Sequence, residues 1–303
     1  LETWREALTQ GAPTDLEAFT AHVQAEHLPH AVIIDCSGKA EIAARYADWM
    51  ARGIHIITPS KLAASGPLAE WRRLQETRRA AGVRYLGETT VGAGLPIIQT
   101  LRDLRQTGDE IIAIEGILSG TLAFLFNGYD GTRPFSEIVR EARALGFTEP
   151  DPRDDLSGRD VARKLVILAR EMGLEVELEQ VAVESLVPAE LAEGSIDEFL
   201  DGLAGWDARM LERLEAARGR GHVLRYVARL DGRTGQAAVG LEELPGDHPF
   251  AYARLTDNVV QFVTRRYHEN PLVVQGPGAG PAVTAAGVFA DLLRLTAYLG
   301  ADV

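Results

Sequence analysis

The alternation of apolar and polar positions begins with an amphipathic stretch over residues 14–28, which predicts a helix. His22, His27 and His30 fall there at a spacing that fits no metal motif and marks them as surface histidines. Ala31 to Asp35 is a short apolar run of the buried-strand type. The turn residues Cys36-Ser37-Gly38 follow, then a helix from about Lys39 to Met50. His55 to Thr58 predicts a second strand, ending at Thr58-Pro59-Ser60-Lys61, and a helix follows around Leu68 to Ala80. Strands alternating with helices imply a parallel, doubly wound sheet. Such sheets bind ligands beyond the carboxyl ends of their strands, where Ser37 and Lys61 both fall. Cys36 lies there too. With no His or Asp partner assignable, it reads as an inert buried thiol rather than a nucleophile.

The middle of the chain changes character. Tyr85 to Glu88 leads into Thr89-Thr90-Val91-Gly92-Ala93-Gly94-Leu95-Pro96, a tight glycine-rich turn before a helix carrying Ile97, Ile98, Leu101 and Leu104. Ile111 to Leu118 predicts a strand, after which Ser119 is placed to cap a helix with Leu122, Leu125 and Phe126. Phe135 to Leu145 is helical and residues 187–220 are polar and helix-like. Val223 to Leu230, Gln236 to Leu241 and Asn258 to Thr264 predict strands in antiparallel arrangement. Leu272 to Gln275 is a last strand. Gly276-Pro277-Gly278-Ala279-Gly280 then precedes a helix from about Ala282 to Leu299. Too few residues follow for a nucleotide-binding βαβ unit, so this reads as a loop-to-helix element closing onto a cofactor domain.

One stretch carries the chemistry. Residues 146–158 form an acidic loop stiffened by Pro150 and Pro152, and a helix begins by Asp160. Val161, Leu165 and Leu168 mark its apolar face. Asp160 and Lys164 are four apart and can pair on another face. Such a pair is commonly just a solvated surface. Composition shifts that reading: of 31 basic residues only Lys39, Lys61 and Lys164 are lysines, and lysine can release a proton where arginine cannot.

The length of 303 residues allows two domains, and 46% hydrophobic with 25% charged residues is ordinary for a globular protein. A net charge of −13 argues against nucleic-acid or anionic-membrane partners. One cysteine precludes an intrachain disulfide and makes a cytoplasmic location the simplest reading. No apolar run approaches the roughly 20 residues of a membrane span, and no signal peptide is visible. Leu1-Glu2-Thr3-Trp4 reads as mid-domain sequence, so the chain is expected to be a fragment.

Taken in order, Thr58 to Lys61, Val91 to Pro96, Gly116-Ile117-Leu118-Ser119-Gly120-Thr121, Glu149 to Lys164 and Val283 to Val288 resemble homoserine dehydrogenase. The similarity runs from Leu1 to about Leu299 and is closest to the C-terminal half of bifunctional aspartokinase–homoserine dehydrogenases. The resemblance implies an α/β fold. Residues 1–85 would be the remainder of a truncated, doubly wound (Rossmann-like) dinucleotide-binding domain. Residues 86–270 would form an α+β substrate and dimerisation domain, and residues 271–303 a loop and helix returning to the first.

It also implies interconversion of L-homoserine and L-aspartate 4-semialdehyde with NADP or NAD, in threonine and methionine biosynthesis, by a homodimer. Lys164 matches the proton donor and Asp160 the aspartate beside it. Lys61 matches a lysine near nicotinamide and substrate. Glu149 and Asp155 match substrate-binding carboxylates, and Ser37 and Gly280 match cofactor contacts. Glu88, Val91, Ala93 and Leu95 match a loop binding a monovalent cation, sodium or potassium, mostly through backbone oxygens. The family's opening strand and glycine-rich loop have no counterpart here, nor does an aspartokinase domain, which a native protein could carry. Residues 1–303 alone are therefore expected to bind NADPH weakly. The competing readings are a non-catalytic dimerising remnant and another semialdehyde-handling oxidoreductase.

Overall fold

Two apolar runs, β1 (Ala31–Ile34) and β2 (Ile54–Ile57), pair in parallel, and β3 (Tyr85–Leu86) joins the far edge of β2. The result is a three-stranded parallel sheet in the order β1-β2-β3. The computed structural model describes residues 3–24 and 27–300. Leu1, Glu2, Ala25, Glu26 and residues 301–303 lie outside that description. With them go the start of the Leu1–Trp4 stretch and part of the helix expected over 14–28.

Helices α1 (Trp4–Thr9) and α2 (Leu16–Val23) precede the sheet. The Asp15 carboxylate caps α2 by accepting the backbone N–H groups of Glu17 and Ala18. His22, His27 and His30 are all exposed, as the sequence indicates. The helix expected over Lys39 to Met50 is broken into α3 (Ala40–Ala43) and α4 (Tyr46–Ala51). The break accompanies the full burial of Tyr46, whose hydroxyl donates to the Asp35 carboxylate at the end of β1. Helices α5 (Leu62–Ser65) and α6 (Leu68–Ala81) complete this layer.

Helix α7 (Ile97–Gln106) follows the glycine-rich turn and buries Ile97, Ile98, Leu101 and Leu104. Strand β4 (Ile111–Ile117) then opens a second sheet. Next come α8 (Gly120–Gly128), capped by the Ser119 hydroxyl, and α9 (Phe135–Ala144). The acidic loop contains a short helix, α10 (Pro152–Leu156), which the two prolines had suggested was loop. Pro152 occupies its first turn, where a missing N–H costs nothing, and Asp151 caps it. Helix α11 (Arg159–Glu171) follows. Both flanks of its C-terminal half are buried, because it packs on α5, α7 and two strands of the second sheet.

The remaining elements are β5 (Ala182–Val183), α12 (Ile196–Gly202), α13 (Asp207–Arg218), β6 (His222–Asp231), β7 (Ala237–Pro245), β8 (Asp257–Thr264), β9 (Leu272–Pro277) and α14 (Pro281–Tyr298). The second sheet has the order β5-β7-β6-β4-β8-β9. Its pairs are antiparallel except β5 with β7. Thus β6 and β7 are neighbours, while β4 separates β6 from β8.

The apolar alternation Leu224, Tyr226, Ala228, Leu230 faces helices of this same chain, α8, α11 and α13, so that face of β6 is not free for a partner. On the opposite face Val227 is also buried, beneath Phe250 and Ala253. One apolar core runs from Tyr46 and Trp49 beside the small sheet to Leu165 and Val166 beside the large one.

Residues 271–303 divide between the two layers. Strand β9 pairs with β8 in the large sheet, and α14 then crosses to pack on β2 and on the turn that follows β3. That docking needs two glycines. A Cβ on Gly287 would lie 2.3 Å from the Thr89 methyl, and one on Gly94 would lie 2.6 Å from the Val283 carbonyl oxygen. The two backbones meet with no room for side chains.

Candidate active site

The carboxyl ends of β1 and β2 are tied together by three buried side chains. The Thr58 hydroxyl donates to the Asp35 carbonyl (2.8 Å) and accepts from the Ser60 N–H (3.0 Å), with the Tyr46 hydroxyl 3.2 Å away. Asp35 Oδ1 also accepts the Ser37 N–H at 2.8 Å. Two loops are fixed by this network, one carrying Ser37 and one leading to Lys61. Ser37 itself is exposed. Cys36 is exposed as well, which corrects the expectation of a buried thiol. Partial desolvation of its sulfur, then the neighbouring Asp35 carboxylate, raise its pKa, so it remains a thiol and not a nucleophile.

Lys61 points from the β2 loop to the start of α11. Its Nζ lies 3.1 Å from Asp160 Oδ1, and Lys164 Nζ lies 3.0 Å from Asp160 Oδ2. One carboxylate therefore bridges two ammoniums from different elements. Desolvation pushes the Asp160 carboxyl up, but the two adjacent ammoniums outweigh it and hold the group well below the usual carboxylate range. Lys164 is not a solvated helix-face residue: its side chain is 12% exposed, and Nζ donates to the Leu118 carbonyl at 2.7 Å. Two of its three N–H directions are thus assigned, leaving one for a ligand.

The acidic loop flanks this cluster. Asp155 Oδ1 accepts the Thr121 hydroxyl (2.7 Å), and Oδ2 accepts the Glu149 N–H (2.8 Å). Burial raises the Asp155 pKa against those two hydrogen bonds. Glu149 is exposed, and among the described residues its carboxylate makes no hydrogen bond or ion pair. Gly280 is exposed at φ 128, immediately before α14.

The glycine-rich turn is built around Glu88. Its buried carboxylate accepts the N–H groups of Ile98 (2.8 Å) and Gln99 (3.0 Å) at the start of α7, with Arg294 Nη1 at 3.6 Å. Burial raises its pKa to about 7, opposed by the Ile98 N–H and Arg294. The Glu88 N–H donates to Asp291 of α14 at 2.9 Å. Ala93 adopts φ 50, a left-handed conformation that residues with a Cβ seldom enter, between Val91 and Leu95. No group of three or more His, Cys, Asp or Glu side chains suited to a metal occurs among the described residues.

Sequence reasoning missed Thr121 as a partner of Asp155, and it missed Asn258. The Asn258 side chain is fully buried, donates to the Leu118 carbonyl at 3.4 Å and leaves Oδ1 without a partner. A lone asparagine at the edge of an apolar run carries no sequence signal for such a position. A cavity of about 680 Å³ lies elsewhere, between α6, α7 and the end of α11. Two of its arginines, Arg72 and Arg102, are already paired with Glu175 and Glu171.

Comparison with known proteins bears on this geometry. A family model described as homoserine dehydrogenase matches residues 96–293, and one described as homoserine dehydrogenase, NAD binding domain, matches residues 2–88. A chloroplastic bifunctional aspartokinase/homoserine dehydrogenase of Arabidopsis thaliana is 51% identical over 99% of this chain and 33% of its own length. The homoserine dehydrogenase of Schizosaccharomyces pombe is 41% identical over 100% of this chain and 82% of its own. A crystal structure of a Candida auris protein of undescribed function superposes with a TM-score of 0.90 at 41% identity. It covers 95% of this chain and 82% of that one. The chain spans about a third of the length of the bifunctional relatives it matches.

Proposed function

Because the chain belongs to the homoserine dehydrogenase family, we propose that it interconverts L-homoserine and L-aspartate 4-semialdehyde with a nicotinamide cofactor, NADP or NAD. The observation that carries this reading is Asp160, bridging Lys61 and Lys164 beside an acidic loop and below the carboxyl ends of a parallel sheet. When bound, the cofactor supplies or removes the hydride.

Lys164 is the acid/base group. Asp160 and the Leu118 carbonyl hold two of its N–H bonds, which leaves the third for the reacting oxygen. As the carbonyl is reduced, negative charge grows on that oxygen. An ammonium in a confined cleft stabilises this charge and then hands over its proton. Lys61, on the other oxygen of Asp160, positions substrate and nicotinamide. Asp155 and the exposed Glu149 carboxylate bind the substrate ammonium. Ser37, Lys61 and Gly280 contact the cofactor, supported by the exposure of Ser37 and Gly280.

Glu88, Val91, Ala93 and Leu95 form the monovalent-cation loop in this reading. A buried carboxyl whose pKa burial raises to about 7 is the group a nearby sodium or potassium ion would return to its charged form. A homodimer is part of the proposal, with the outer edge of β9 and the exposed Tyr252, Leu255 and Val273 as candidate contacts. So are a fused aspartokinase, by analogy with the bifunctional relatives, a place in threonine and methionine biosynthesis, and a cytoplasmic location. No helix among the described residues is long and apolar enough to cross a membrane. Homoserine-dependent NADP or NAD reduction by the full-length gene product tests the reading. Absence of any such reduction by folded protein would refute it.

A further inference from the structure

Lys164 shares its carbonyl acceptor with a second buried donor. Leu118 ends the segment after β4, and its oxygen takes Lys164 Nζ at 2.7 Å and Asn258 Nδ2 at 3.4 Å. The two nitrogens are therefore neighbours across one oxygen. Asn258 lies on β8, opposite Gly276 of β9, and no part of its side chain reaches solvent. Its Oδ1 has no partner among the described residues, although a buried amide oxygen left unpaired is costly.

The loop that follows β9 closes over this amide. A Cβ on Gly278 would fall 2.0 Å from Asn258 Cγ and 2.1 Å from Nδ2, so only glycine fits there. Gly280, two residues on, opens α14. Asn258 thus touches both the carbonyl that orients Lys164 and the glycine loop before α14.

We propose that Asn258 is a positioning residue for the proton-transfer step, holding the Leu118 carbonyl and the 276–280 loop so that the third N–H of Lys164 faces the substrate oxygen. The proposal rests on the assignment of Lys164 made above. The charged groups facing Lys164 are Asp160 on its own helix and, across that carboxylate, Lys61 from the β2 loop, with Asp155 of the acidic loop coupled in turn to Asp160.

The test replaces the amide by a carboxylate and by an apolar isostere. The chain has only three lysines, so lysine labelled with ¹³C at Cε gives three signals, and Lys164→Arg identifies the one that matters. In Asn258→Asp the added negative charge should raise the Lys164 titration midpoint by about one unit, in protein without cofactor or substrate. For semialdehyde reduction, where Lys164 must carry the proton, the basic limb of kcat/KM in the full-length protein should shift upward with it. Asn258→Leu should lower kcat about tenfold with little change in KM, the pattern of an interaction realised at the transition state.

A packing role alone would move the melting temperature and leave kcat of a folded Asn258→Leu protein near the wild-type value. A folded Asn258→Asp protein with an unshifted midpoint would overturn the proposal. If that variant does not fold, Asn258→Leu with wild-type kcat would do the same. Failure of the wild-type protein to oxidise homoserine would refute the proposed function instead, and the titration arm would still report whether Asn258 lies against the Lys164 ammonium.

Discussion

Lys61 and Lys164 are held on the two oxygens of one carboxylate, at 3.1 and 3.0 Å, although one lies in a loop of the small sheet and the other in a helix packed on the large one. The arrangement places two proton-bearing cations side by side and assigns their separation to a single residue, Asp160. Without that carboxylate the two ammoniums would repel each other across the same cleft.

Lys164→Arg keeps the charge but supplies a guanidinium that does not release its proton at working pH. Turnover should fall by about 10²-fold or more, with a much smaller change in KM. Steady-state kinetics on the full-length enzyme checks this, and near-normal kcat would remove Lys164 from the mechanism.

Lys61→Arg should show the opposite division. If Lys61 positions substrate and nicotinamide, its replacement raises KM more than it lowers kcat. A kcat loss as large as that of Lys164→Arg would exchange the two roles.

Asp160→Asn removes the negative charge between the ammoniums. Losing an adjacent opposite charge disfavours the protonated form of each lysine, so the basic limb of the pH–rate profile for semialdehyde reduction should move down by about one unit. A profile unchanged in position would mean that neither lysine sets that limb.

Glu88 predicts a pH-dependent stability. Its carboxyl is raised from 4.5 to about 7 on folding. Between those values the unfolded chain has lost a proton that the folded chain still holds, so stability falls as pH rises from about 4.5 to about 7 and is flat above. The expected loss is about 3 kcal/mol at most. Glu88→Gln keeps an acceptor for the Ile98 N–H and should flatten this dependence. Sodium or potassium, but not a bulky organic cation, should reduce it. Urea unfolding at pH 5 and pH 8 in the two kinds of salt measures both effects.

How much of this was legible beforehand depended on how local each feature is. The Asp160–Lys164 pair follows from a four-residue spacing on one helix, and the strand and helix runs follow from periodicity. The contact of Lys61 with Asp160 does not, because it depends on how α5 and α11 pack. Helix α10 was readable in principle, since Asp151 before Pro152 is an N-cap followed by a proline in the first turn, but two prolines close together look more like a stiff loop. The place of β4 between β6 and β8 had no sequence signal, because strand order is decided by pairing partners distant in the chain. Exposure of Cys36 was missed because a lone cysteine without a catalytic partner is usually a small buried hydrophobe, whereas this one sits in the turn after Asp35, and it is Asp35 that is buried, by its bonds to Ser37 and Tyr46.

The docking of α14 has a mechanical consequence. Gly287 lies against Gly94, and Asp291 takes the Glu88 N–H, so the last helix works as a latch across the seam between the two sheets. It cannot swing away without unseating the Glu88 turn, and that turn caps α7 through Ile98 and Gln99. The two halves are therefore geared together. Amide exchange in α14, in Glu88–Leu95 and at the start of α7 should speed up in concert, and a protease cut in the 276–280 loop should loosen all three at once.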